Sequence, residues 1–475
     1  MLIAAVLAVA LLALAGGRAP TYAGSNGQLF HVTRDDDPAP NGCADDDCSL
    51  REAIVAANQD AVLDVIMIPP MHITLTRAGS DTEAAVGALD ITHDVIIEGA
   101  NPEAPLVAPI GPLPGSTPPE TIIDAGGLNG IFDVNAPNFP AVPDVAVLVK
   151  DVTLTGTQNG PAIYSNASDF TIDRVIINDN HNNDDGGGVE ANLGTVTIKN
   201  STISNNTSDE SGGGLDVRNL VIENSTVLDN IAGEVGGGIA AEGITMTNTT
   251  VFGNLSGAQG GGVFVGANLT DIARSTISYS TFSSNDSGDG SAVLAFGNPL
   301  TLANSILWGD DDDECSGTIT GVNNILETKS GCAISGTVIT QDPMLGTLRS
   351  YIGQTPTLPI SVDSPALDAA TGDCPVTDQR GIPRPQGEAC DIGAFEYMHV
   401  GDVNCSGTVE LQDLLAELGY IAGISEADCL YRGDIDCSAD LGGLDGLFIL
   451  RHIANLTEQT RPIFCPPIGP DTPLT

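Results

Sequence analysis

The chain has 475 residues, with 16 Lys+Arg against 62 Asp+Glu and a formal net charge of −46. That balance argues against nucleic acid and anionic membrane surfaces as partners, because phosphate binding needs basic side chains, and it makes cations, calcium above all, the natural counter-charge. The 56 glycines, 29 prolines and 4% aromatic content suit a turn-rich all-β architecture, at a length that fits one long solenoid plus a module.

The chain opens on an apolar run, Leu2 to Ala15, too short to span a bilayer comfortably. Ala13-Leu14-Ala15 before Gly16 has the form of a cleavage site, and the missing basic n-region places the expected start upstream. Residues 1–23 therefore read as an export signal, and no later segment has the length of a membrane span. The ten cysteines agree with export. They lie in close groups: Cys43 and Cys48; Cys315 and Cys332; Cys374 and Cys390; then Cys405, Cys429, Cys437 and Cys465. Their even count and short spacings suggest local disulfides, hence an oxidising compartment and an extracellular, soluble protein. They lack the C-x-x-C pairs and nearby histidines of a zinc site.

Phe30 to Arg34 predicts a strand, followed by an acidic loop. Ser49-Leu50-Arg51-Glu52 reads as a capping box and predicts a short helix from Leu50 to Asn58. A solenoid end exposes unpaired strands and an open core, so this helix is the candidate cap. Strand-like segments follow at Val65–Ile68, Ile73–Thr76, Ala88–Ile91 and Val95–Glu98. Pro102 to Pro119 is a Pro/Gly-rich insertion, read as a surface loop. Thr121–Asp124, Ile131–Val134 and Val145–Leu154 resume the strands.

A repeat then takes over. Glycine triplets begin at Gly186, Gly212, Gly236 and Gly260, with a degraded copy at Gly290, so the spacings are 26, 24, 24 and 30 residues. A period in the twenties marks stacked units. Each triplet precedes an apolar column, Val189, Leu215, Ile239, Val263 and Val293. Two more columns read Ile198, Ile222, Met246, Ile277, Leu302 and Ile203, Val227, Val251, Phe282, Leu307. Apolar residues often alternate within a unit, which predicts strands and not helices. Asparagine forms two further columns: Asn200, Asn224, Asn248 and Asn304, broken by Tyr279; and Asn180, Asn206, Asn230, Asn254 and Asn285. Stacked amides can hydrogen-bond along the stacking axis. Leucine-rich repeats would need a Leu-rich frame, and propeller blades a period about twice as long. The pattern predicts a right-handed parallel β-helix over residues 24–397, with rungs roughly 4.8 Å apart. After Trp308 the period is lost, Asp310 to Glu314 reads as a solvated charged loop, and residues 315–397 read as irregular β structure.

Cys48-Ser49-Leu50-Arg51-Glu52-Ala53 resembles the CSLREA motif that opens many bacterial exported β-helix proteins. Cys390-Asp391-Ile392-Gly393-Ala394-Phe395-Glu396-Tyr397 resembles the closing segment of the same proteins. The resemblance implies where the coil begins and ends, and attaches no chemistry to those residues.

Residues 398–475 form a separate unit. Asp402, Asn404, Ser406, Glu410 and Asp413 place oxygen donors at positions 1, 3, 5, 9 and 12 of a loop, with Gly407 at position 6 and Thr408 offering its carbonyl. That is the spacing of a calcium loop entering a helix. The pattern recurs at Asp434, Asp436, Ser438, Asp440 and Asp445, where Ala439 replaces the turn glycine and Gly442 leaves position 9 without a side chain, so the second site is expected to bind calcium more weakly. Leu411, Leu414, Leu415 and Leu418 mark one helical face, and Leu447, Leu450 and Ile453 lie on the next helix. The duplicated loops resemble a type I dockerin. The resemblance implies a small α-helical calcium-binding domain that docks onto a cohesin-like or cell-surface protein, through positions matching Leu411, Gln412, Gly443 and Leu444. The usual Ser-Thr pair is missing from those positions.

No catalytic motif stands out. The best candidate is a column of carboxylates two residues before successive glycine triplets, Asp184, Glu210 and Glu234, with Asp179, Asp185 and Asp229 nearby. Stacked carboxylates can raise one another's pKa or bind a cation, but solvated loop acids give the same pattern. Two functions compete: a non-catalytic β-helix that binds or displays, tethered by the calcium module, and a polysaccharide lyase or glycoside hydrolase delivered by it. Clustered acids beside an Arg or Lys would favour the second.

Overall fold

The computed structural model describes residues 27–453, apart from 60–61, 81–83, 101–118, 135–144, 167–168, 267–274, 311–312, 328–330, 332–333, 335, 352, 399, 402, 404–408, 423–431 and 433–442. The export signal and almost all of the Pro/Gly-rich insertion lie outside the described residues. So do most of the calcium-loop donors and Cys332, Cys405, Cys429, Cys437 and Cys465.

The chain winds into a parallel β-helix. Three parallel sheets, of 15, 11 and 4 described strands, run along the coil. Each turn adds a strand to successive sheets, so sequence neighbours lie on different faces and partners come from the next turn. The apolar columns stack in register as their spacing predicts: Val189 on Leu215 on Ile239 on Val263 on Val293. Ile198, Ile222, Met246, Ile277 and Leu302 stack likewise, as do Ile203, Val227, Val251, Phe282 and Leu307. All of these side chains are buried, and they join one core that runs from Val32 to Leu326. Period-two alternation turns these residues inward and their neighbours out.

The two asparagine columns have different causes. Asn200, Asn224, Asn248 and Asn304 have φ of 49°, 51°, 49° and 47°, a left-handed corner that asparagine tolerates better than most residues. Tyr279 holds the same corner at φ 48°. The other column is a buried ladder. Asn206 Nδ2 donates to Asn230 Oδ1 (3.0 Å), and Asn230 Nδ2 donates to Asn254 Oδ1 (2.9 Å). Each carboxamide oxygen also accepts the backbone N–H of the preceding rung's asparagine, as at Asn206 N to Asn230 Oδ1 (3.0 Å). The glycine triplets permit close approach of rungs: a Cβ on Gly213 would lie 2.3 Å from the Gly237 carbonyl oxygen.

The helix Leu50–Ala57 forms at the N-terminal end with the predicted capping box, Ser49 and Glu52 bonding reciprocally. Leu50, Ala53, Ile54 and Ala57 join the core, so the helix plugs its open end. Arg51 is fully buried. Its Nε donates to Asp37 Oδ1 (2.5 Å), and its two terminal nitrogens donate to the carbonyls of Ala84 and Gly87 (both 2.9 Å).

Beyond Trp308 the sequence period is lost, but parallel strands still pair. The coil continues: Cys315–Val322 pairs in parallel with Val293–Ala303, and Asn324–Leu326 pairs with Ile306–Leu307. Sequence periodicity fades because the turns shorten and the glycines drop out, while apolar positions still face inward. The charged run is also not a solvated loop at its ends, since Asp310 and Glu314 are 8% and 1% exposed. Asp310 ends the asparagine ladder, its Oδ1 accepting from Asn285 N (2.8 Å) and Nδ2 (2.7 Å).

The chain then doubles back as a strap over the outer face of the second sheet. Gln379 Oε1 accepts from Thr250 Oγ1 (2.6 Å), Ala394 N donates to Thr281 Oγ1 (3.0 Å), and Asn304 Nδ2 donates to the Thr371 carbonyl (3.0 Å). The resembled closing segment is its hub. Ile392, Phe395 and Tyr397 pack on Ile306 and Ile325. Arg384 donates to Glu396 (3.0 Å), and Arg380 to Asp378 (2.6 Å), all four side chains being buried. Disulfides join Cys43 to Cys48 and Cys374 to Cys390, and Cys315 is also disulfide-bonded.

Two helices close the described chain, Leu411–Ile421 and Gly443–Ile453. Leu414 and Ile449 pack with Ile382, Met398, Val400 and Val403. The leucine face marked in the sequence is mostly turned outward: Leu411, Leu415, Leu418, Leu447, Leu450 and Ile453 are 37–60% exposed. The first helix buries Asp413, Leu414 and Glu417 instead. Among the described residues, no helix is long and apolar enough to cross a membrane.

Candidate functional site

The column Asp184, Glu210 and Glu234 does stack on successive rungs. Glu210 N donates to the Asp184 carbonyl (3.4 Å) and Glu234 N to the Glu210 carbonyl (2.8 Å). All three side chains are exposed at a turn. Repulsion from Asp185, with Asp184 and Glu234 adding to it, pushes the Glu210 carboxyl up. They form an acidic rim.

A second set of acids, which sequence reading missed, lies beside that rim on the outer face of the first sheet. Val189, Leu215 and Ile239 point inward, so the next residue on each strand points out. Register aligns Asp133, Tyr164, Glu190, Asp216, Ala240, Phe264 and Leu294 in one outward column. Two residues further along their strands lie Asn192, Arg218 and Glu242, on the same face. The signal was available: the residue just after each aligned apolar position is Glu190, then Asp216.

Glu190 Oε1 accepts from Asn192 Nδ2 (3.0 Å), and its Oε2 accepts from Asn182 Nδ2 (3.4 Å). Burial pushes its carboxyl up, reinforced by Asp185 and Asp184. Asp216 is pushed up to about 7, by burial first and then by Asp185, Glu190 and Glu242. Arg218 Nε lies 3.3 Å from Glu242 Oε2, both half-buried, so one guanidinium stands among the acids. Tyr164 flanks Glu190 on one side, and Phe264 lies two rungs beyond Asp216 on the other. Such a face can donate a proton from one carboxyl and accept one at its neighbour.

In the C-terminal unit, Glu410, Asp413 and Asp445 are the described loop donors; Asp402, Asn404, Ser406, Thr408, Asp434, Asp436, Ser438 and Asp440 lie outside the described residues. Asp413 Oδ2 accepts from Glu410 N (2.7 Å). Asp413 and Asp445 are 0% and 1% exposed. Glu417, one turn after Asp413, is also fully buried, with the Gly446 backbone beside its carboxylate. Burial, with Asp445 beside it, pushes its carboxyl up to about 8. Among the described residues alone, no three His, Cys, Asp or Glu side chains are arranged to hold a metal ion.

Fold and face together define a parallel β-helix with an acidic, aromatic-flanked outer surface. No family model matches the chain, and no curated protein sequence matches it. Among solved structures it is similar to pectate lyase Pel9A, at 15% identity and a TM-score of 0.41, over 78% of this chain and 97% of that one. No residue role is transferred from that likeness.

Proposed function

We propose that this is an extracellular β-helix protein whose outer face, centred on Glu190 and Asp216, binds and hydrolyses a polysaccharide. The observation that carries the reading is the register pairing of two half-buried outward carboxyls, one of them pushed up to about 7, beside Arg218. Asp216, whose carboxyl is pushed up to about 7, protonates the glycosidic oxygen. Glu190, one rung of roughly 4.8 Å away, attacks the anomeric carbon as the glycosidic C–O bond breaks, and water then displaces it while the ionised Asp216 takes that water's proton. Tyr164 and Phe264 supply apolar ring surface for sugar faces. Arg218 orients a hydroxyl or carboxyl of the bound chain. The disulfides fit an oxidising compartment.

The C-terminal unit is proposed as a calcium-binding, dockerin-like attachment module. Its exposed leucines support docking to a cohesin-like or cell-surface protein. The test is a panel of neutral and uronic-acid polysaccharides, with calcium or with chelator, comparing the natural protein with Glu190→Gln and Asp216→Asn. New reducing ends without an unsaturated product, lost in both variants, would support hydrolysis. An unsaturated product would replace hydrolysis by elimination. Binding without turnover would return the β-helix to a display role.

A further inference from the structure

We propose that Phe264 and Phe296 form an aromatic subsite for uncharged sugars, reached by a glycan that runs along the coil axis. The inference rests on reading the outer face as polysaccharide-binding, and adds where the glycan lies and which sugars it carries. Phe296 is 62% exposed, the most exposed aromatic side chain among the described residues. It follows Ala295 as Arg218 follows Val217 and Glu242 follows Ala241, and those inward residues stack in register through Val265. Phe296 therefore continues the outward column of Arg218 and Glu242, with Gly266 between them. A Cβ on Gly266 would lie 3.1 Å from a ring carbon of Phe264. The Phe264 ring thus leans along its strand over the gap that the glycine leaves. Two rings stand on successive turns, roughly 4.8 Å apart along the axis.

The order of side chains along the axis suits a sugar chain. Beyond Asp216 come Ala240, short and 5% exposed, then the Phe264 ring, then Phe296. One turn of the coil rises about as far as one residue of an extended, β-linked glycan. A chain cleaved at Glu190 and Asp216 therefore lays its next sugars over Ala240, Phe264 and Phe296. A pyranose packs its C–H face on an aromatic ring and keeps its hydroxyls in water. On the three turns beyond Asp216 the two outward columns read Ala240, Phe264 and Leu294, then Glu242, Gly266 and Phe296, with one acid and no base. The nearest cation, Arg218, lies 3.3 Å from Glu242. A uronate here would find no counter-charge of its own and would face the acidic rim, so the subsite selects uncharged sugars. The closing strap bonds to the second sheet instead, which leaves Phe296 in solvent.

The experiment takes the full-length protein, the neutral and uronic-acid polysaccharides of the panel, and oligosaccharides of the linkage that is cleaved. Phe296→Ala should raise KM on the neutral polymer by about tenfold with little change in kcat, because the lost ring binds ground and transition states alike. Phe296→Trp should restore KM. Oligosaccharides of about four residues or fewer cannot reach from Glu190 to Phe296 at one sugar per turn, so both proteins should cleave them equally. The penalty of Phe264→Ala should begin one residue shorter. Affinity electrophoresis in gels holding each polysaccharide reads binding without turnover. Retardation by the neutral polymer that Phe296→Ala weakens, with no cleavage, would support the subsite and overturn hydrolysis. Unchanged KM and retardation in Phe296→Ala, an equal penalty on short and long chains, or preference for the uronic-acid polymer would overturn the subsite and leave hydrolysis standing. A natural dimer that Phe296→Ala splits would make the rings an interface between copies, and would also overturn it. A natural protein that neither cleaves nor is retarded by any polysaccharide would overturn both.

Discussion

Glu190 and Asp216 stand opposite each other on neighbouring parallel strands, one turn of the coil apart, and both point away from the core. Parallel register makes the closeness of these two acids a consequence of stacking, since each lies immediately after a buried aliphatic of the same column.

Burial and the negative neighbours Asp185, Glu190 and Glu242 raise the Asp216 pKa to about 7. Hydrolysis that uses it as the acid should fall as pH rises through that value. Asp216→Asn should lower kcat by roughly 10²–10⁴-fold with the fold retained. Glu242→Gln removes one negative neighbour and releases Arg218, so the alkaline limb should move down by roughly 0.5–1 pH unit. A pH profile of initial rates on a cleaved polysaccharide checks both.

The asparagine ladder should be a principal source of rigidity. Asn230→Ala would strip the acceptor from the buried Asn206 N–H and carboxamide. Two orphaned buried donors cost on the order of 2–5 kcal/mol. A chemical denaturation midpoint should fall accordingly, whereas Asn183→Ala, at an exposed turn position, should change little.

Acid should strengthen the coil's C-terminal end before it weakens it. Burial pushes up the carboxyls of both Asp310 and Glu314, each reinforced by the nearby Glu327. One oxygen of each is buried without a donor, Asp310 Oδ2 and Glu314 Oε2, which suits a proton held between them. A carboxyl with a raised folded-state pKa binds its proton more tightly when folded. The stability it contributes is complete below the unfolded pKa and is lost as pH rises through the folded one. The melting temperature should therefore rise as pH falls from about 8 towards 5. Glu314→Gln should flatten that dependence.

Arg51 explains why a charged residue sits inside the CSLREA-like hexapeptide. Burial opposes the Asp37 charge, yet Arg51 and the backbone N–H groups of Thr76 and Arg77 hold its carboxyl below the usual range. Arg51→Met would leave that charge buried without its cation, at about 3–5 kcal/mol. Adding Asp37→Asn should recover part of the loss, and a thermal-melt double-mutant cycle measures the coupling.

Local periodicity was enough to establish the coil. Glycine spacing placed the bends, and the aliphatic columns from Val189 to Leu307 had to coincide once each turn stacked on the last. The capping box at Ser49 and Glu52 was legible for the same reason, because its bonds span three residues. The tail of the coil was not legible. Asp310 and Glu314 are charged, and only the end of the asparagine ladder and the surrounding turns bury them. Nor does spacing along the Leu411–Ile421 helix reveal which face is covered; Ile382, Met398 and Val400, outside that helix, take Leu414 and leave Leu415 in solvent.

The repeat in this sequence determined the architecture, because a period that returns the chain to the same direction every turn brings like residues together whatever the loops do. The face where chemistry is proposed was decided by tertiary structure. Whether an outward Glu190 or Asp216 is solvated or half-buried depends on what the neighbouring turns place around it, and that sets its pKa.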